Sequence, residues 1–169
     1  MRKGSGALIA FVSLIVCLLA EVPATAAPSL VSFSGYPRGA IVIRTSERRL
    51  YFITGRDQAI AYPVAVGKPG KLWHGETSIR SKHVRPSWSP PEDVWRDNPK
   101  LPAVIPPGPS NPMGERAMVL ARDQYAIHGT NRPDSIGRYV SYGCIRMYNA
   151  DIIDLFDRVR VGTPVLVVN

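Results

Sequence analysis

Cysteine is scarce in this chain, two among 169 residues, and histidine little less so, with three. Cys17 falls inside an apolar run, Ala7 to Ala20, preceded by Arg2 and Lys3 and followed by Ala24-Thr25-Ala26. That is the three-part pattern of an export signal, with small residues for cleavage after Ala26 or Ala27. The run is shorter than the roughly 20 residues a membrane-crossing helix needs. Residues 1–27 are therefore read as a cleaved signal peptide, with an uncleaved anchor as the alternative. Val16, directly before Cys17, does not match the small residue of a lipoprotein signal, which argues against lipidation. Once Cys17 has left with the signal, Cys144 stands alone, and an internal disulfide is excluded. A lone thiol in an oxidising compartment is a liability unless it is used or deeply buried. Two readings of Cys144 follow: a nucleophile, or a small buried side chain behaving as a hydrophobe.

Acidic residues are also few, 13 against 21 Lys and Arg, for a formal charge of +8. Removal of Arg2, Lys3 and Glu21 with the signal leaves the mature chain at +7. A basic field favours anionic partners, and for an exported protein these are cell-wall polymers or membrane surfaces before nucleic acid; solubility alone is the competing explanation. No paired His and Cys spacing is present, so a zinc site with three or four convergent ligands is not expected. No internal repeat and no second domain is evident. The mature length suits one domain around one core, with residues 28–39 read as an N-terminal linker and 40–169 as the domain.

What is present is mainly β. Ala40–Arg44 and Arg49–Phe52, separated by Thr45-Ser46-Glu47-Arg48, predict a hairpin, and Tyr62, Val64 and Val66 continue in period two. Residues 77–82, 117–121 and 124–128 are further strand candidates, and Pro164–Val168 is dense in β-branched residues. One clear helix is predicted near the C-terminus. Asn149 is its expected N-cap, Asp151 suits its positive end, Ile152, Ile153, Leu155, Phe156 and Val159 share a face, and Gly162 ends it. Between Pro86 and Pro112 nine prolines accompany Trp88 and Trp95. Proline removes backbone donors from any ladder, so this segment is predicted to be a long ordered flap over the sheet, with a proline-rich recognition ligand as the alternative.

Thiol nucleophiles react as thiolates, and a neighbouring imidazole both lowers the thiol pKa and carries the proton. His128 ends a strand-like run sixteen residues before Cys144, a separation that permits two adjacent strands to bring the side chains together. His74, in a Gly-rich turn, and His83, between basic residues, are expected to be exposed. Gly143 lets the backbone pass close to a substrate and frees amides to stabilise an oxyanion. Arg146 puts a permanent cation two residues from the sulfur, suited to a substrate carboxylate or to supporting the thiolate; a plain surface arginine is the alternative.

The blocks Ile127-His128-Gly129-Thr130, Ser135-Ile136-Gly137 and Ser141-Tyr142-Gly143-Cys144-Ile145-Arg146-Met147 closely resemble the signature of the L,D-transpeptidase catalytic (YkuD) domain. The likeness runs from Ala40 to the end, through Val66-Gly67-Lys68-Pro69-Gly70, Pro86 to Pro91, Pro106 to Gly114 and Asp151 to Val168. These blocks resemble the branch that includes the periplasmic enzymes acting on Braun lipoprotein.

The resemblance implies a β-sandwich-like, mainly β domain. In that family a cysteine attacks the carbonyl of the third stem-peptide residue of peptidoglycan, D-Ala departs, and an amine resolves the thioester. The product is a 3→3 cross-link or an attached outer-membrane lipoprotein; water in place of the amine gives L,D-carboxypeptidase activity. Carried over by position, Cys144 is the nucleophile and His128 the general acid/base, and the Gly129 carbonyl orients the imidazole. Ser141, Tyr142, Gly143 and Arg146 shape the substrate pocket. Neither metal nor organic cofactor is implied, the location is periplasmic, and a monomer is expected. Two features depart from the family. Tyr142 stands where His or Ser is frequent, which bears on acceptor preference, and Glu76-Thr77-Ser78-Ile79-Arg80 lacks the proline and glycine of a Thr-Pro-x-Gly element, which bears on a donor-side loop. No wall-binding module such as LysM accompanies the domain. The competing classes are a non-catalytic peptidoglycan-binding protein and a papain-like peptidase. The latter is disfavoured because its cysteine opens a helix and precedes its histidine.

Overall fold

The computed structural model describes residues 28–169; the signal-peptide reading of residues 1–27 lies outside the described residues. In chain order the strands are β1 (Ser29–Ser32), β2 (Ile41–Arg44), β3 (Arg49–Gly55), β4 (Gln58–Pro63), β5 (Val66–Gly67) and β6 (Gly75–Val84). After the short helix α1 (Glu92–Asp97) come β7 (Arg116–Leu120), β8 (Ala126–His128), β9 (Tyr139–Ser141), β10 (Ile145–Arg146), helix α2 (Asn149–Arg158) and β11 (Pro164–Val168).

Nine strands hydrogen-bond in the order β1-β4-β3-β2-β11-β6-β7-β8-β10, and β5 pairs separately with β9. The predicted hairpin forms with Ile43 opposite Leu50 and Ile41 opposite Phe52. Strand β11 returns parallel to β2, Val165 opposite Ile41. Strand β6 joins the two halves of the sheet: Gly75 to Ser78 pair with β11, and after an irregularity between Ile79 and Ser81 the strand pairs with β7. The strand predicted over 77–82 forms as part of β6; Glu76 to Arg80, which lack the family's proline and glycine, lie within it because β11 supplies ladder partners from one side. Ser29–Ser32, in the stretch read as a linker, runs antiparallel to β4 at the sheet edge.

Strand alternation explains the core. Ile41, Ile43, Leu50 and Tyr62 are fully buried on one face and meet Met118, Leu120, Ile127 and Ile145 from the other half of the sheet. Ile152 and Leu155 of α2 close that cluster. On the opposite face Val42, Tyr51, Ile53, Ala59 and Ala61 pack under Phe33. A sheet folded over one apolar layer, with one main helix, is the sandwich-like architecture expected.

Helix α2 differs at both ends from the sequence reading. Tyr148 is its N-cap, with no side-chain capping bond, and Asn149 spends its side chain elsewhere. The helix stops at Arg158, and Val159 is already extended. Lys82 Nζ donates to the Phe156 and Val159 carbonyls at 2.6 Å each, satisfying acceptors that a glycine cap would otherwise serve. Gly162, at φ +86°, instead turns the chain into β11.

The proline-rich flap is ordered by a few donors. Trp88 and Ile105 exchange backbone bonds of 2.9 and 2.7 Å. The buried Asn111 amide donates to the carbonyls of Pro86, Ile105 and Pro106 at 2.9 to 3.1 Å. Helix α1 was not expected. It follows Pro91, and its Asp93 and Asp97 are tied to Lys71 and Lys68, so ion pairs with the body, not burial, hold it.

Candidate active site

Strands β8 and β10 run parallel with Ile127 opposite Ile145 and His128 opposite Arg146. Met147 N donates to the His128 carbonyl at 2.8 Å, pinning the register. Cys144 immediately precedes β10, so the parallel pairing carries it and His128 to one floor. Both line a cleft of about 490 Å³ together with Ser141, Tyr142 and Arg146. The flap covers this cleft through Trp88, Pro91 and Val94. His74 and His83 are exposed, and neither lines the cleft.

His128 is almost wholly buried, and its Nδ1–H donates to the Gly129 carbonyl at 2.6 Å. A carbonyl only accepts, so the proton of the neutral ring sits on Nδ1 and Nε2 keeps its lone pair. Burial pushes the imidazole pKa down to about 4, assisted by the positive Arg146 and partly opposed by the carbonyls of Gly129 and Pro112. Burial likewise pushes the Cys144 thiol up, against the lowering effect of the Ala126 backbone and Arg146. The sequence reading had imidazole lowering the thiol. In the folded chain desolvation dominates both groups, and the resting pair is a neutral thiol and a neutral imidazole.

The loop carrying the cysteine is braced from below. Buried Ser141 Oγ donates to the Cys144 carbonyl at 2.5 Å and accepts the Gly143 amide at 3.1 Å. One of the amides expected to be free for an oxyanion is therefore committed to Ser141. Gly143 adopts φ +120°, and a Cβ there would lie 2.7 Å from Tyr125 Cζ. Trp73 stacks on Tyr125, centroids 5.3 Å apart, and donates Nε1–H to the Gly143 carbonyl at 2.8 Å. Sequence reading missed Trp73 and Tyr125. The only signal was Gly143 itself, a residue that marks close approach without naming the neighbour.

Arg146 is half-buried, and among the described residues no carboxylate faces it; burial and Arg132 both act against its charge. Tyr142 is only half-buried and reaches the flap: its hydroxyl donates to Asp97, while Lys68 Nζ lies 3.8 Å from its ring centroid and 3.2 Å from Asp97. The five sequence-predicted residues around Cys144 and His128, namely Gly129, Ser141, Tyr142, Gly143 and Arg146, are thus brought together, with Tyr142 doubling as the contact that ties the flap down.

A thiol just before β10 and an imidazole at the end of β8, in one cleft beneath a flap, are the pairing that cysteine-nucleophile chemistry needs. The family model of the L,D-transpeptidase catalytic domain (YkuD) matches residues 38–167, and the chain belongs to that family. It is 40% identical over 139 residues to the probable L,D-transpeptidase ErfK/SrfK of Escherichia coli K12, covering 78% of this chain and 44% of the relative. The chain therefore spans less than half the length of that curated relative. Among solved structures, a Brucella melitensis protein described as a probable carnitine operon oxidoreductase is 40% identical, with a TM-score of 0.56, over 80% of this chain and 89% of its own. It is as similar in sequence as the E. coli relative, although its description names a different class of activity. An L,D-transpeptidase from Mycobacterium smegmatis matches at TM-score 0.60 and 18% identity, over 77% of this chain and 58% of its own, a likeness of fold alone.

Proposed function

We propose that this chain is an exported peptidoglycan L,D-transpeptidase acting on tetrapeptide stems in the periplasm. The observation that carries the reading is Cys144 and His128 on the floor of one cleft, with His128 Nδ1–H held by the Gly129 carbonyl at 2.6 Å. That bond leaves Nε2 as the base. As Sγ attacks the carbonyl of the third stem residue, the thiol proton passes to Nε2. The departing D-Ala amine then takes that proton as the C–N bond breaks, leaving a thioester on Cys144. An acceptor amine attacks the thioester, gives its proton back through His128, and releases the thiol. Because burial disfavours both ions at rest, charge develops only as substrate reacts.

Gly143 and Ser141 set the backbone beside the sulfur through the Ser141 Oγ bonds to the Gly143 amide and the Cys144 carbonyl. Arg146 suits a stem-peptide carboxylate, since no protein carboxylate neutralises it among the described residues. Tyr142, at the junction of cleft and flap, bears on which amine enters. A 3→3 cross-link and attachment of an outer-membrane lipoprotein are both outcomes of the same chemistry. Residues 1–27 are proposed to direct export and 40–169 to form the catalytic domain.

The test is incubation of the purified protein with tetrapeptide muropeptides, products followed by mass spectrometry, with Cys144→Ala as control. Cysteine-dependent loss of D-Ala with new 3→3 dimers is expected. Tripeptides alone would indicate hydrolysis, and binding without turnover would refute the enzyme reading.

A further inference from the structure

Asn149, near the site, engages both ends of its side-chain amide yet has no part in the chemistry above. It opens α2, where asparagine ordinarily caps, but its amide crosses to two other segments. Nδ2 donates to the Thr130 carbonyl at 3.1 Å. Oδ1 accepts the backbone amides of Thr130 and Glu115, each at 3.2 Å. The oxygen occupies a cradle between two glycines. A Cβ on Gly129 or Gly114 would fall inside contact distance of Oδ1, and one on Gly114 would also lie 2.5 Å from Thr130 N. Thr130 is itself buried, so its amide has no solvent to fall back on.

The Thr130 N–H and the Gly129 carbonyl belong to one peptide unit, and a trans peptide is planar with those two groups pointing to opposite edges. On one edge Asn149 Oδ1 holds the N–H; on the other the carbonyl accepts His128 Nδ1–H at 2.6 Å. The plane cannot rotate without breaking both bonds. Polarisation along such a chain strengthens each member, so the carbonyl that selects the Nδ1–H tautomer is both oriented and made a better acceptor from behind.

We propose that Asn149 is a positioning residue for His128: through the Gly129–Thr130 peptide it fixes the tautomer and tilt that leave Nε2 directed at the thiol. The proposal rests on the reading of Cys144 and His128 as nucleophile and base.

The experiment measures the rate of Cys144 alkylation by iodoacetamide at pH 7 in the purified protein. The variants are Asn149→Ala, His128→Ala and the double variant, with thermal unfolding recorded for each. Asn149→Ala is expected to slow alkylation by about 10- to 100-fold, the scale of an ångström-level misplacement, and to have no further effect once His128 is gone. Equal losses in both backgrounds, or no loss with His128 present, would overturn the positioning role while leaving the base intact. An unchanged rate in His128→Ala would instead sink the underlying reading, and the proposal with it. Should Asn149→Ala not fold, Asn149→Asp keeps the acceptor for Thr130 N–H, and imidazole nitrogen NMR reads the tautomer directly. Retention of Nδ1–H in Asn149→Asp supports the proposal. Loss of it there, despite the retained acceptor, refutes it.

Discussion

Gly143→Ala tests whether the cysteine loop owes its shape to the aromatic pair beneath it. Two penalties add. A side chain at φ +120° enters a region that glycine alone visits freely, at about 1–3 kcal/mol. The new Cβ would also sit 2.7 and 2.9 Å from Tyr125 Cζ and Cδ1, inside the spacing real carbons keep. Overpacking of that kind costs roughly 1–3 kcal/mol more. Tyr125 has little room to withdraw, because Trp73 stacks on its far side at 5.3 Å and is held by its bond to the Gly143 carbonyl. The expected loss is about 4 kcal/mol in urea unfolding, with D-Ala release falling at least about 100-fold as the sulfur moves. In a Tyr125→Ala background the ring is gone, and Gly143→Ala should cost only the backbone part, roughly 1–3 kcal/mol. Equal costs in the two backgrounds would refute the idea that Tyr125 is what the glycine accommodates.

Further outcomes follow from the same geometry. Because burial holds His128 near a pKa of about 4, the neutral base should persist well into acid, and kcat/KM for D-Ala release should show its acid limb near pH 4; a limb near 6.5 would contradict the buried, desolvated imidazole. Asp151 is buried with Oδ2 unpartnered, and desolvation followed by repulsion from Asp154 raises its pKa to about 6. A folded-state pKa above the unfolded one means the native state binds the extra proton. Stability should therefore fall as pH rises from about 4 to about 6, and Asp151→Asn should flatten that dependence and gain about 1–2 kcal/mol at pH 7, as read from denaturation midpoints. Ser141→Ala leaves the Gly143 amide and the Cys144 carbonyl without their shared partner, and should cost about 1–3 kcal/mol in unfolding while lowering kcat more than it raises KM.

Sequence patterning specified most strands because period two and β-branched runs are local properties: β2, β3, β7 and β11 lie where alternation predicted them. The short β9 and β10 carry too few residues for a period to register, and they form because β5 and β8 offer them edges. Asn149 shows how a correct local preference misleads. Asparagine at a helix start is a good cap in isolation, but the backbone amides of buried Thr130 and of Glu115 take its oxygen instead.

The sequence by itself determined the chemical inventory of this protein: the Cys144 thiol, the histidine that can serve it, an arginine beside it, and the blocks that mark the family. Only the tertiary structure decided how those groups behave. The parallel register of β8 and β10 puts thiol and imidazole on one floor, and their burial there keeps both neutral. Trp73, Tyr125 and Asn149 act from sequence positions 70, 18 and 19 residues away from the groups they hold. Burial and contacts across that distance are properties of the packed chain, set by which strands lie side by side.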